Sequence, residues 1–174
     1  WLATPMQLAS ATAIMANRGV AAQPHLVRTI RDMATGTQQD VLPVLTEAVH
    51  PTRPGDWQKV VDGMISVLHG PRGTARAAGM KLPFKMAGKT GTAQVFGVAQ
   101  DKEYDENEVE KKLRDHALFI VFAPADDPQI AIGVIAENGG HGSSVAAPVA
   151  RKVIDVWLQK QPLKASEVEP HVQP

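Results

Sequence analysis

The sequence of 174 residues contains no cysteine, so it has neither a disulfide framework nor a cysteine-based zinc site. This absence fits an oxidising compartment as well as the cytosol and does not choose between them. Acidic and basic residues number 18 each, and this balance gives no indication of binding to nucleic acid or to an anionic membrane. The longest apolar runs, around 117–124 and 130–136, are strand-sized and too short to cross a membrane.

The six histidines lack the spacing that metal ligands show on a helix, and we expect neither a metal site nor a cofactor. His141 lies in a glycine-rich stretch at a predicted strand end, where functional side chains are common. We interpret it as a polar turn residue, and His116 as a structural residue.

The segment 84–95, FKMAGKTGTAQV, contains Gly-Lys-Thr but lacks the glycine that a phosphate-binding loop has five residues earlier. That position is Pro83, which has no N–H to offer and a fixed φ angle. The residues after the motif, 92–96, are typical of a strand, whereas a phosphate-binding loop begins a helix there. We therefore predict that Lys89, Thr90 and Thr92 lie on a strand and do not form a phosphate cradle.

Alternation along that strand places Thr90 and Thr92 on one face and Lys89 on the other. Gly91 between them has no side chain, so the backbone of a substrate could lie close to the strand.

The remaining elements follow from apolar periodicity and from turn and cap residues. Thr4-Pro5 begins the first helix, and Asp56 is predicted to cap the second, which ends at Gly70. The charged stretch 101–115 is predicted as an exposed helix. Further predictions are helices over 5–17 and 146–160, a hairpin of 25–31 with 41–45, and antiparallel strands over 84–96, 116–123 and 129–137. Because the last two strands are apolar nearly throughout, both faces of this sheet are expected to be covered.

Five segments in this order give the sequence a family resemblance. They are Ala3-Thr-Pro-Met-Gln-Leu8, Pro71-Arg-Gly-Thr-Ala75, Gly88-Lys-Thr-Gly-Thr-Ala-Gln-Val-Phe96, Arg114-Asp-His-Ala-Leu-Phe119, and Glu137-Asn-Gly-Gly140 with Val145-Ala-Ala-Pro-Val149. Over 1–160 the chain resembles the C-terminal part of the transpeptidase domain of class B penicillin-binding proteins, most closely the type that elongates rod-shaped Gram-negative cells. The resemblance implies an α/β (α+β) fold, an antiparallel sheet flanked by helices as in β-lactamases, incomplete here. Residues 161–174 are expected to be a flexible tail.

The resemblance also assigns roles to residues of the Lys-Thr-Gly strand, a motif of penicillin-binding proteins. Lys89 and Thr90 would hold the negative end of a substrate or β-lactam, and Gly91 would give clearance. Thr92 would bind the acyl-donor peptide and supply one of two oxyanion-hole N–H groups. Gln94 would contact the substrate as well.

The sequence departs from the family because no Ser-x-x-Lys and no Ser-x-Asn occurs in it. The nucleophile, its lysine base and the second serine are therefore absent from these 174 residues. Because the chain also starts at Trp1 without methionine, we expect it to be a piece of a larger enzyme, inactive alone. The alternative is a stand-alone module that binds peptides or anions without acylation. A Ser-x-x-Lys encoded upstream of Trp1 would favour the piece of a larger enzyme. A start codon near Trp1 would favour the stand-alone binding module.

The resemblance implies partners and a location too. Expected partners are peptidoglycan stem peptides, β-lactam antibiotics, the missing N-terminal part of the same protein, and the elongation machinery with its membrane glycosyltransferase. The expected location is the periplasmic face of the inner membrane of a Gram-negative bacterium, with an anchoring segment outside this chain.

Overall fold

The structure, a computed structural model, describes residues 3–46, 49–95 and 110–160. Its helices are α1 (Pro5–Ala16), α2 (Asp56–His69), α3 (Arg76–Gly79) and α4 (Ala146–Lys160), with a 3-10 turn at Lys111–Leu113. Its strands are β1 (Ala21–Ala22), β2 (Thr29–Arg31), β3 (Gln38–Asp40), β4 (Leu45–Thr46), β5 (Ala87–Ala93), β6 (His116–Ala123) and β7 (Ile130–Ala136). Helices and antiparallel strands are combined as the α/β (α+β) prediction required.

The central sheet has the order β5-β6-β7, with both pairs antiparallel. The register of β5 on β6 sets Thr90 opposite Phe119 and Thr92 opposite Ala117. A turn at 124–129 joins β6 to β7, so the predicted hairpin is confirmed. Two small antiparallel pairs, β1 with β4 and β2 with β3, lie outside this sheet.

Both faces of the central sheet are covered, as the apolar strands predicted. On one face Phe119 and Val121 of β6 join a core cluster with Ile154 of α4. On the other face Phe122 of β6 joins Val61 of α2 and other residues of α1 and α2. Alternation along β6 therefore divides the core into an α4 side and an α1/α2 side.

Helix α1 begins where the sequence predicted and lies directly on β7. The Thr4 hydroxyl accepts a hydrogen bond from Gln7 N–H at 3.2 Å, and the Gln7 side chain accepts one from Thr4 N–H at 2.8 Å. This reciprocal pair is a capping box. On β7 a Cβ added at Gly133 would lie 3.1 Å from Ala9 N and 3.2 Å from Pro5 O, so α1 fits against the sheet because Gly133 has no side chain.

Asp56 does not cap α2, and that prediction was wrong. The N-cap residue is Gly55 at a φ of +81°, which glycine adopts without steric cost, and no side chain caps the helix. Asp56 is instead the first helical residue and pairs with Lys59 at 3.0 Å. The predicted end of the helix at Gly70 is confirmed.

Two predicted strand ranges were misplaced, and one predicted helix is described only in part. The first hairpin pairs 29–31 with 38–40, and not 25–31 with 41–45, because the Asp32 carboxylate accepts hydrogen bonds from Ala34 and Thr35 and closes a tight turn early. Strand β5 covers 87–93 of the predicted 84–96, and residue 96 lies outside the described part. Before the strand, Met86 N–H bonds to His69 and Lys85 O accepts from Ala125 N–H, so these residues do not pair with β6. Of the predicted helix over 101–115, residues 101–109 lie outside the described part. Its last residues form the short 3-10 turn before β6.

Candidate active site

The Lys-Thr-Gly motif lies in the middle of β5, which pairs with β6 along one side. Among the described residues no strand pairs with the other side of β5. On a sheet edge of this kind, alternate backbone N–H and C=O groups are available to an added extended chain. Thr90 and Thr92 lie on the α4 side, across from Phe119 and Ala117, and Lys89 lies on the other side, so the predicted division of faces is confirmed.

Lys89 is exposed and its ammonium folds back to its own strand. Its Nζ donates a hydrogen bond to the Thr90 carbonyl at 2.8 Å. Its side chain also lines an apolar pocket of about 360 Å³. The other residues around this pocket are Met15, Val60, Gly63, Met64, Val67 and Ile120. The charge is thus held at the strand, and an apolar surface formed by α1, α2 and the sheet lies beside it.

Thr92 and Gln94 are exposed near the C-terminal end of β5, and their side chains make no hydrogen bond to any residue in the described ranges. The hydroxyl and the amide are therefore available to a ligand. A Cβ added at Gly91 would lie 3.2 Å from Leu118 Cβ and 4.0 Å from Leu118 O, and no other atom of the described residues would be within 4 Å. On the Lys89 face of β5, the described residues therefore leave the space around Gly91 open except at Leu118.

The segment 137–145, which we call the glycine loop, lies against the motif on the α4 side. A Cβ added at Gly142 would collide with Leu118 O and lie 2.6 Å from Gly91 O. The Gly142 carbonyl accepts a hydrogen bond from Ala147 N–H at 2.9 Å, at the start of α4. Gly142 thus packs against the backbone of Gly91 and is hydrogen-bonded to the first turn of α4.

Asn138 anchors the glycine loop to the chain that leads into β6. Its N–H donates to His116 Nδ1 at 2.9 Å, and its side-chain amide donates to the carbonyls of Lys112 and Arg114, both at 2.9 Å. His116 is therefore structural, as predicted. Its Nδ1 is the acceptor here, so the neutral ring carries its proton on Nε2.

Thr90 has a hydrogen-bond partner that the sequence reasoning missed. The hydroxyls of Thr74 and Thr90 lie 3.2 Å apart. Thr74 belongs to Pro71-Arg-Gly-Thr-Ala75, a segment that supported the resemblance but received no role. The position of Thr74 in one of the five resemblance segments is the sequence signal that could have identified it.

The other end of β5 is attached to α2 through His69. The Met86 N–H donates to His69 Nε2 at 3.0 Å. Burial, and then the nearby positive charge of Lys85, hold the pKa of His69 below its ordinary value. His69 also lines a larger open groove of about 1060 Å³ at this end of the sheet, away from Thr92 and Gln94.

Within the described ranges no three side chains of the His, Asp and Glu types come together as metal ligands. No helix in those ranges is both long and apolar enough to span a membrane. We take β5, the glycine loop and the segment around Thr74 as the candidate site.

Comparisons with known proteins agree with this architecture. The family model of the penicillin-binding protein transpeptidase domain matches residues 1–155. The peptidoglycan D,D-transpeptidase MrdA of Acinetobacter baumannii is 45% identical over 166 residues, which are 93% of this chain and 24% of that protein. The chain thus spans about a quarter of the length of the curated relatives it matches.

Solved structures extend the similarity to the fold. A crystal structure of Pseudomonas aeruginosa PBP2 matches with a TM-score of 0.73 and 44% identity, covering 97% of this chain and 34% of that one. An imipenem acyl-enzyme complex of Mycobacterium tuberculosis penicillin-binding protein A matches with a TM-score of 0.68 and 26% identity, covering 90% and 31%. The β-lactamase-like sheet inferred from the sequence is therefore part of a larger fold of this type. Because the family model matches residues 1–155, the chain belongs to the transpeptidase domains of penicillin-binding proteins.

Proposed function

We propose that this chain is one wall of the acyl-transfer site of a serine-type peptidoglycan D,D-transpeptidase that works in cell elongation. One observation supports this most directly. The exposed side chains of Lys89 and Thr92 flank Thr90 and Gly91 on a strand whose outer edge is unpaired within the described part of the chain. An extended stem peptide can bind along such an edge through its backbone.

Each residue of the motif has a distinct task in this proposal. Lys89 supplies a positive charge and Thr90 a hydroxyl donor for the carboxylate of the stem peptide or of a β-lactam. Thr92 donates its backbone N–H to the oxygen that becomes negative during acyl transfer, and its hydroxyl binds the donor peptide. Gln94, directly after the end of β5, contacts the same peptide, and Gly91 leaves room for the peptide backbone.

The covalent steps need groups from outside these 174 residues. A serine oxygen attacks the acyl-donor carbonyl, its proton passes through a lysine base to the leaving amine, and an ester to the enzyme results. The amine of a second stem peptide then takes the acyl group and releases the serine. Because the chain has no Ser-x-x-Lys and no Ser-x-Asn, it is inactive alone, and the remainder of the same protein supplies these residues.

The apolar pocket beside Lys89 supports a contact with that remainder. Its lining of Met15, Val60, Met64, Val67 and Ile120 belongs to three elements that leave it open. An apolar segment of the same protein that covers it would remove this surface from water. The nucleophile would then lie next to the Lys-Thr-Gly strand.

Partners and location follow from the relatives. The β-lactam partner is supported by the Mycobacterium tuberculosis relative, which forms an imipenem acyl-enzyme complex. The curated relatives are peptidoglycan transpeptidases, which supports stem peptides as substrates. We further propose a periplasmic location at the inner membrane of a Gram-negative bacterium, an anchor outside these residues, and assembly with the elongation machinery and its membrane glycosyltransferase.

Acylation by a fluorescent penicillin tests the proposal, read on a denaturing gel. In the complete protein that contains these residues, Lys89→Ala should slow labelling by roughly tenfold to more than a hundredfold, because a charged hydrogen bond contributes about 1.5–3 kcal/mol. Thermal stability should change little, since an exposed lysine contributes little to folding. Lys152→Ala, which removes an exposed lysine from α4, is the matched control and should label at the normal rate.

Residues 1–174 on their own should not be labelled. Covalent labelling of this chain alone, or normal labelling of the complete Lys89→Ala protein, would contradict the proposal. A complete protein that binds stem peptides but has no Ser-x-x-Lys would instead support the alternative, a binding module without acyl transfer.

A further inference from the structure

The segment 70–75, which we call the α2–α3 loop, folds back tightly on the last turns of α2. The N–H of Gly70 makes the last helical bond, to Ser66 O at 2.9 Å, and the N–H of Ala75 then returns to Val67 O at 3.0 Å. A Cβ added at Gly73 would collide with Val67 O and lie 2.6 Å from Ser66 O. The close approach therefore depends on a glycine immediately before Thr74.

Thr74 is held between this fold-back and the core. Its neighbour Ala75 is 2% exposed and belongs to the same core cluster as Phe119, which lies opposite Thr90 in the sheet. Thr74 itself is exposed, and its hydroxyl reaches the Thr90 hydroxyl at 3.2 Å. The loop thus places the Thr74 hydroxyl beside the central residue of the Lys-Thr-Gly motif, and the backbone is packed at both neighbours of Thr74.

The direction of the hydrogen bond between the Thr74 and Thr90 hydroxyls decides whether the Thr90 hydrogen remains for a ligand. A threonine hydroxyl has one hydrogen to donate and can accept two hydrogen bonds. If Thr74 donates to Thr90, the Thr90 hydrogen is left for a ligand oxygen. The Thr90 carbonyl is bonded to Lys89 Nζ, so Thr90 is held through both its side chain and its main chain.

We propose that Thr74 is a positioning residue, which orients the Thr90 hydroxyl so that it donates to the anionic group of the substrate or β-lactam. This inference rests on the proposed function, since it acts only through the role given to Thr90. Thr74 does not touch the ligand itself. It holds the Thr90 hydroxyl in the orientation needed for donation before the ligand binds.

A double-mutant cycle in the complete protein tests the inference through the second-order rate constant of acylation by a penicillin. Thr74→Val keeps the branched shape and removes the hydroxyl, and we expect a fall of about two- to tenfold, the loss of one neutral hydrogen bond. Thr74→Ser should restore most of the rate. In Thr90→Val, adding Thr74→Val should cause no further fall, because the group that Thr74 orients is gone.

Thr29→Val is the matched control, since it removes a hydroxyl that bonds to Asp40 at 2.9 Å on the distant hairpin. It should leave acylation unchanged, and Thr74→Val should leave the melting temperature nearly unchanged. If Thr90→Val does not slow acylation, the role proposed for the motif fails and the inference fails with it. If Thr90→Val slows acylation but Thr74→Val does not, or if the two effects simply multiply, the inference on Thr74 fails alone.

Discussion

Gly142→Ala probes the contact between the glycine loop and the Lys-Thr-Gly strand. The added methyl would collide with Leu118 O and lie 2.6 Å from Gly91 O, well inside van der Waals contact. Both are backbone atoms of paired strands, so neither can move aside by a simple side-chain rotation. Overpacking of this kind lowers the free energy of unfolding by about 1–3 kcal/mol.

The same substitution should also affect chemistry, because Gly91 lies between Thr90 and Thr92. To accommodate the methyl, either β5 shifts or the loop moves away together with the first turn of α4, to which Gly142 is bonded. Small displacements of substrate-positioning groups reduce rates strongly. We therefore expect slower penicillin acylation at a temperature at which the variant is still fully folded.

Denaturant unfolding and penicillin labelling of the complete protein measure the two effects. Ser143→Ala is the control, because it introduces alanine at the adjacent position of the same loop without adding an atom. It should change the free energy of unfolding by less than about 0.5 kcal/mol, as surface substitutions usually do. A Gly142→Ala protein as stable and as reactive as Ser143→Ala would refute the close contact described here.

Two further predictions concern pH and association. Because the folded state lowers the pKa of His69, its contribution to stability is present above the ordinary value of 6.5 and is lost as pH falls through the lowered pKa. Melting temperatures from pH 7.5 to 5 should therefore fall more steeply for the native protein than for His69→Gln, and parallel curves would contradict this. Within the described residues β7 pairs only with β6, so residues 1–174 alone should self-associate through this apolar edge. A clean monomer over a wide concentration range in sedimentation experiments would count against that.

Local sequence patterns predicted the central sheet and helix α1 well, because apolar runs and the residues at their ends specify these elements. Strand β6 was predicted at 116–123 and is observed there, since a continuous apolar run is bounded by charged residues before it and by Pro124 after it. Helix α1 was predicted to begin at Pro5 because Thr4 is a typical N-cap residue and proline is common at the first helical position, and the structure shows both in these places. The assignment of Thr90 and Thr92 to one face of β5 and of Lys89 to the other followed from the alternation of side chains along a strand.

The errors and omissions concern contacts between distant parts of the chain. The start of β5 was misplaced because Met86 N–H bonds to His69, a partner that no local pattern indicates. Thr74 was missed for the same reason, since its approach to Thr90 depends on the fold-back that Gly73 allows. The sequence thus identified which residues could carry the chemistry, and the structure was needed to find which residues support them.

The contact of α1 with β7 at Gly133 has a consequence for folding during synthesis. Helix α1 is translated early in this chain and β7 late, so the surface that α1 covers does not exist when the helix leaves the ribosome. A single helix of 12 residues is only marginally stable in water. Contacts that join distant parts of a chain form slowly and leave apolar surface exposed in the meantime. Translation of β7 is therefore the step at which this part of the domain can first close, and until then the face of α1 that packs on β7 stays uncovered.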